Sequence, residues 1–541
     1  MDAPSEVHPS MTATQAPPEA VAPGSTAPPA SRVATPRGLA GVLGSSDHKV
    51  VGRLYVGAAL LLGLISGVAG ILGGIDRIDG TFGNTILDGD TAPQVISFHA
   101  TSATLLFLLP ALLGLAMVVV PLQVGARAIA FPRAAAASFW TFLFGAGLTV
   151  TAYAIDGGPG GGRADAVDLW AASTGLTIVG LLLGSICVAT TVLAVRAEGM
   201  SLERVPMLAW SLLCSTVIWL LTLPVMLALL IILYVDHRNG QQFLGGLGPD
   251  MAEQVAWLGR QPQVYAAAIP VLGVVLDAAA TAGRTRLPNR GAAMGAIGAF
   301  AVLGIGAFAL TAISPEVAQQ PVTKGMALLA PLPVLAVLGL VGLSLRGGRP
   351  RPTSGLVGGV LATLVLLLAT LVGAATAFEG ALELAGTQWV TAQSHLTLVA
   401  ATIALVAGLY HWSTKVLGRV ATEAAGRTAP LVLALGALVL AVPEALSGLL
   451  GEGDEAVTGI EAMNAVAVAG AGLVLLGGLL AVAGLAGRPG RDEPADPWGG
   501  HTLEWATASP PPFANFDGPV PAVTSAEPLL APTTPDDEDG A

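Results

Sequence analysis

The sequence predicts an all-α membrane protein, a polytopic bundle of about twelve transmembrane helices. Its 541 residues are 53% hydrophobic and only 11% charged, with a mean hydropathy of +0.72, whereas an ordinary soluble domain carries roughly 25% charged residues. A soluble chain this apolar would lack polar surface to cover its core. Apolar runs of bilayer-crossing length, about 20 residues each, recur along the chain. Lys and Arg are concentrated in alternate connections between those runs.

The runs lie near 52–75, 95–120, 136–155, 172–195, 208–234 and 263–282, then near 291–313, 324–345, 355–377, 388–412, 428–450 and 462–487. Most of the 69 glycines sit inside them, where small residues let helix backbones approach. With the N-terminus inside, the inner segments hold 19 of the 24 Lys and Arg, and the outer ones only Arg77, Arg163, Arg238, Arg260 and Lys324. The positive-inside rule then places both termini in the cytoplasm, on the inner side of a membrane that the chain crosses many times. The outer connections Asp76 to Asp90, Asp156 to Asp168 and Glu452 to Glu461 are acidic or glycine-rich. No internal repeat suggests a transporter built from inverted halves.

Three regions follow. Residues 1–45 form a Pro- and Ala-rich extension expected to be disordered and cytoplasmic. They hold no apolar core like that of a signal peptide, so the first helix is expected to drive insertion. Residues 46–487 form the twelve-helix membrane domain, and 488–541 a cytoplasmic tail with Pro510-Pro511-Pro512-Phe513 and the acidic end Asp536-Asp537-Glu538-Asp539. The net charge of −12 lacks the basic footprint of nucleic-acid binding. Cys187 and Cys214 lie in apolar runs without CxxC spacing and read as packing residues.

Of the seven histidines, His99 and His395 lie well inside apolar runs. Both helices run from outside to inside, and at 1.5 Å per residue both rings fall about 6–11 Å below the outer boundary. Two imidazoles at one depth on separate helices could ligate a haem iron from both faces. The competing reading is that each simply hydrogen-bonds a neighbouring helix. His411 sits about 24 Å further along its helix than His395 and reads as an interfacial residue within Tyr410-His411-Trp412.

Short motifs narrow the field. They run in order from about residue 46 to 520: Asp47-His48-Lys49 with Gly52 and Tyr55; Pro121-Leu122-Gln123-Val124-Gly125-Ala126 with Ala130-Phe131-Pro132-Arg133 and Ser138-Phe139-Trp140; Gly199-Met200-Ser201 with Arg204, Pro206 and Trp210; Gly408-Leu409-Tyr410 to Lys415, Gly418 and Arg419; and Pro497-Trp498-Gly499, Leu503-Glu504-Trp505, Ser509-Pro510-Pro511-Pro512-Phe513 and Asn515-Phe516-Asp517. On these the chain resembles subunit I of the haem–copper oxidases, of the bacterial cytochrome c oxidase type. The resemblance implies that His99 and His395 are the axial ligands of one low-spin haem, of unspecified type. It also implies other oxidase-type subunits (II- or III-like) or a cytochrome as partners, besides the lipid bilayer.

Other family positions have changed. The sixth-helix His-Pro-Glu-Val-Tyr, with its copper histidine and proton-relaying glutamate, reads Gln261-Pro262-Gln263-Val264-Tyr265. The paired copper histidines of the seventh helix correspond to Ile313 and Ser314, and the high-spin haem ligand of the tenth to Gln393. An amide neither titrates nor binds copper well, so no copper is expected. The proton routes match Ala128, Ala135, Ala136 and Leu335, and the outer magnesium-site pair matches Ala385 and Gly386. The arginine pair that holds haem propionates is replaced by Asp454-Glu455, which would repel them. Arg163, Arg238 and Arg260 are outer-side cations that could substitute.

Three readings stay open. The first is a degenerate oxidase subunit that keeps one low-spin haem for electron transfer and is not catalytic by itself. The second is a haem-free structural or assembly subunit, which Asp454-Glu455 favours. The third is a working proton-pumping oxidase, which the lost ligands and proton groups oppose.

Overall fold

The computed structural model describes residues 38–79, 86–240, 248–309, 320–346, 348, 350–384, 386–450, 459–487 and 494–530, with backbone alone for 248–260, 305–309 and 379–380. Ile313, Ser314, Ala385, Asp454, Glu455, the acidic run at 536–539 and most of the N-terminal extension lie outside the described residues. The chain divides into two compact units, Met1–Gly44 and Ser45–Ala541. The described part of the first is the short helix Leu39–Leu43 and its flanks.

The second unit is built from long helices: α1 (His48–Asp76), α2 (Thr91–Gln123), α3 (Pro132–Ala154), α4 (Ala164–Ala194), α5 (Met207–Arg238) and α6 (Gly248–Gly283), then α7 (Arg290–Ala309), α8 (Pro321–Arg346), α9 (Ser354–Ala375), α10 (Gln388–His411), α11 (Glu423–Leu450) and α12 (Ile460–Leu485). Among the described residues, eleven of these are long and apolar enough to cross a membrane, and α7 contributes a shorter apolar stretch, Arg290–Gly304. The expected polytopic helical bundle is what the chain forms.

Local chemistry sets the helix starts. The Asp47 carboxylate accepts from the Lys49 amide at 3.0 Å, and the Thr353 and Thr387 hydroxyls accept from the Leu356 and Trp389 amides. Each satisfies a donor that a first helical turn leaves without a partner. Pro132 opens α3, where its missing N–H costs nothing.

Consecutive helices pack as neighbours, α12 returns against α1, and α10 lies against α2, α6, α9 and α11. Burial separates the layers. The apolar window of α2 is 94% buried and that of α6 89%, against 17% for α1 and for α12. α2 and α6, with α10 beside them, therefore form the centre, and the others present Leu61, Phe144, Leu221, Ile231 and Leu431 outward. An outward apolar band on a bundle is what lipid chains cover. Where α1 crosses α2, Gly52 and Gly114 meet backbone to backbone. A Cβ on Gly114 would stand 2.7 Å from the Gly52 carbonyl oxygen.

One end of the bundle is roofed by residues 494–530. Trp498 Nε1 donates to the His411 carbonyl at 2.9 Å. Lys415 Nζ donates to Thr507 O (2.8 Å), Ser509 Oγ (2.9 Å) and Ala495 O (3.2 Å), and lies 5.5 Å from the centre of the Trp505 ring. Asn515, at φ 66°, offers Oδ1 to His48 Nε2 and Lys49 Nζ, while its Nδ2 donates to Ala126 O at 2.8 Å. Asn tolerates that left-handed backbone better than most residues. His411, read from sequence as interfacial, is instead only 2% exposed, because Trp412, Trp498 and Trp505 close over it.

Candidate functional site: a histidine pair between α2 and α10

His99 and His395 meet near the opposite end from the tail. Their ring centroids are 6.2 Å apart, with the planes inclined by 55°. His99 lies in the last turn of the regular α-helical stretch Thr91–Thr101 of α2. Ser102–Leu108, just beyond it, winds as a π-helix before regular turns resume at Leu109. Such wide turns re-aim the residues around them and are common at functional sites.

Each ring is fixed through Nδ1. His99 Nδ1 lies 2.8 Å from the Ser66 carbonyl oxygen on α1, and the Ser66 hydroxyl is held in place by the Ser102 hydroxyl at 2.7 Å. A carbonyl oxygen can only accept, so Nδ1 of His99 carries the proton. One turn along α1, Gly70 makes room: a Cβ there would fall 2.6 Å from His99 Cε1. His395 Nδ1 lies 2.8 Å from Glu444 Oε2 on α11. In the neutral imidazole a protonated Nδ1 leaves Nε2 with a free lone pair. Neither Nε2 has a hydrogen-bond partner among the described residues, and the His395 side chain stays 23% exposed inside the bundle.

The separation has a direct meaning. A metal–imidazole nitrogen bond is about 2 Å, and the nitrogen lies about 1.1 Å from the ring centre, so two imidazoles on opposite sides of one ion would have centroids roughly 6.2 Å apart. The structure brings together the two rings that the sequence singled out, with their centroids 6.2 Å apart.

The neighbouring positions carry amides. Gln263 is buried, and its Oε1 accepts from the Thr222 hydroxyl at 3.2 Å. Gln261 Oε1 is buried without a partner among the described residues. Gln393 is 2% exposed, and residues two apart on a helix point about 200° apart, so it faces away from the His395 side of α10. Among the described residues, no group of three or more His, Cys, Asp or Glu side chains is arranged to hold a bare metal ion.

Two sequence assignments are corrected. Leu335, matched to an interior proton route, is 47% exposed on the outward face of α8. The inward positions there are the apolar Val334 and Val337. Arg163 and Arg238, offered as substitute cations, are held by Asp165 (3.2 Å) and Asp168 (3.0 Å), and the Arg260 side chain lies outside the described residues. Arg77, at the end of α1, stands closer to the pair. It meets the Gln388 amide at the start of α10 and acts electrostatically on His395.

Sequence reasoning missed Ser66, Gly70 and Glu444. Ser66 and Gly70 carry no signal until α1 is laid against α2. Glu444 did carry one, since it is an acid inside an apolar run, and an ionisable residue within a membrane helix is a functional candidate by default.

Comparison with known proteins agrees with the motifs. Residues 50–486 match the family model described as cytochrome C and quinol oxidase polypeptide I. The chain is 28% identical to quinol oxidase subunit 1 of Bacillus subtilis (strain 168), with 90% of this chain and 79% of that protein covered. It is 26% identical to cytochrome c oxidase subunit 1 of Bacillus sp. (strain PS3), with 90% and 84% covered. A match across most of the length, on a bundle of this architecture, places the chain in a family whose cofactors are haems. It belongs to the cytochrome c and quinol oxidase polypeptide I family.

Proposed function

We propose that this chain is a degenerate oxidase subunit I that holds one low-spin haem between His99 and His395 and transfers electrons, without an oxygen-reducing centre. The observation that carries the reading is the 6.2 Å separation of two rings whose Nδ1 atoms are both engaged and whose Nε2 atoms are both free. His99 and His395 would hold the haem through Nε2, and the group would supply one-electron exchange there.

The chain's own residues set the conditions. Ser66 and Glu444 fix ring rotation and tautomer, so that each lone pair is presented without a rotamer search. Gly70 keeps α1 close enough to wall the His99 ring. Gln261, Gln263 and Gln393 supply no titrating group on the side where the family reduces oxygen, and neither copper nor a second haem is expected there. Arg77 is the cation placed to offset haem propionates in the absence of the family's arginine pair. With the N-terminus and tail in the cytoplasm of a bacterial cell, the pair lies in the outer leaflet. From there electrons would pass to or from other oxidase-type subunits or a cytochrome.

One observation favours a haem-free scaffold. The Glu444 carboxylate meets His395 Nδ1 at 2.8 Å and joins α11 to α10, as a helix–helix tie would. A reduced-minus-oxidised spectrum with metal analysis of the purified protein separates the readings. One bis-histidine haem and no copper is the expected result. No haem establishes the scaffold, and two haems with copper and oxygen consumption would restore the oxidase.

A further inference from the structure

The two histidines are held by different kinds of partner. His99 Nδ1 meets a neutral backbone carbonyl, whereas His395 Nδ1 meets a carboxylate at 2.8 Å. Glu444 lies in the apolar stretch of α11, directly after Pro443, and its side chain is 12% exposed. Its single hydrogen-bond and ion-pair partner among the described residues is His395. A carboxylate in the apolar part of a membrane helix is costly and is retained where it serves a partner.

A charged acceptor does more to an imidazole than a neutral one. It takes a larger share of the Nδ1 proton, raises the basicity of Nε2, and fixes the ring plane. A fixed negative charge one imidazole away from a metal also favours the more positive oxidation state. Interior screening is weak, so that preference is larger than it would be in water.

We infer, resting on the haem reading above, that Glu444 is a positioning residue that makes His395 the more basic of two unequal axial ligands and holds the haem at low potential. Ser66 leaves His99 as an ordinary neutral imidazole ligand. The site is then electronically lopsided: one ligand is tuned by α11, and the other is only oriented by α1.

The test uses the full-length protein purified from membranes. Midpoint potential is read by spectroelectrochemical titration, and axial-ligand character by near-infrared magnetic circular dichroism of the oxidised form. Glu444→Gln keeps the shape and a hydrogen-bond acceptor but removes the charge. The expected result is retained bis-histidine haem, a clear upward shift in midpoint potential, and a ligand band moved toward that of two neutral imidazoles. Glu444→Asp should restore part of the shift, and Ser66→Ala should move the potential much less. A Glu444→Gln potential equal to that of the unaltered protein overturns the inference while leaving the haem reading intact. If the Gln variant does not accumulate, the unaltered protein decides by itself: a band typical of two neutral imidazoles overturns the inference. Absence of haem from the unaltered protein removes the underlying reading and the inference with it.

Discussion

The two ends of this bundle solve opposite problems. At the tail end, family motifs from distant parts of the chain interlock through shared polar side chains. Lys415 has three oxygen acceptors and Asn515 serves three groups. At the other end, His99 and His395 are each tied down at one nitrogen and left free at the other. A polar network that ties distant segments together fixes a fold, whereas a ring bonded through one nitrogen keeps the other available as a donor atom. Motif preservation at the tail end therefore reports on architecture, while the state of the opposite end reports on chemistry.

The largest effect should come from the open end. Replacing His99 or His395 by Ala is expected to lower haem affinity more than about 100-fold, seen as loss of the reduced haem bands at unchanged protein yield. Unaltered haem content would erase the contrast between the ends. At the closed end, Lys415→Met should destabilise the bundle by about 2–4 kcal/mol, because the oxygens of Thr507, Ser509 and Ala495 are left without their shared donor. Thermal unfolding in detergent, followed by tryptophan fluorescence, measures it. Tail proteolysis without loss of the haem bands would show the two ends to be independent.

A smaller effect is expected at Gly70. Its replacement by Ala puts a methyl 2.6 Å from His99 Cε1, a clash worth about 1–3 kcal/mol. Haem should titrate in more weakly while the tail contacts are untouched.

The smallest effect concerns pH. Glu504 accepts from Gln123 Nε2 and Trp412 Nε1, yet burial, with the Asp277 carboxylate adding to it, pushes its carboxyl up to about 7. Between the ordinary carboxylate value and about 7 the folded state holds a proton that the unfolded chain has released, so stability falls as pH rises through that window. Burial pulls Lys415 down to about 8, opposed by Glu504 and Asp496. Between about 8 and its ordinary value the unfolded chain holds the extra proton, and stability rises with pH. Glu504→Gln should remove the first of these contributions, read as the difference in thermal stability between the variant and the unaltered protein from about pH 5 to about pH 7. A profile of Glu504→Gln that matches the unaltered protein would mean the carboxyl titrates normally.

Much of this was legible from sequence because hydrophobicity acts locally. A run such as 95–120 must cross the membrane whatever surrounds it, since unpaired backbone groups cannot face lipid. The histidine pair was legible for a related reason: helix rise and topology convert residue number into depth. Leu335 and His411 were misread because depth does not give azimuth. Which face of α8 turns outward, and what roofs the end of α10, depend on neighbours far away in the chain.

The amino-acid sequence alone thus determined the helical membrane class, the order of the crossings, and the candidacy of His99 and His395. Only the tertiary structure decided the 6.2 Å spacing of the rings, the room made by Gly70 and the carboxylate that Glu444 brings to His395. Crossing a bilayer is a property of one segment and its composition. Holding two rings a fixed distance apart depends on how α1, α2, α10 and α11 pack, and packing is set by contacts between residues hundreds of positions apart.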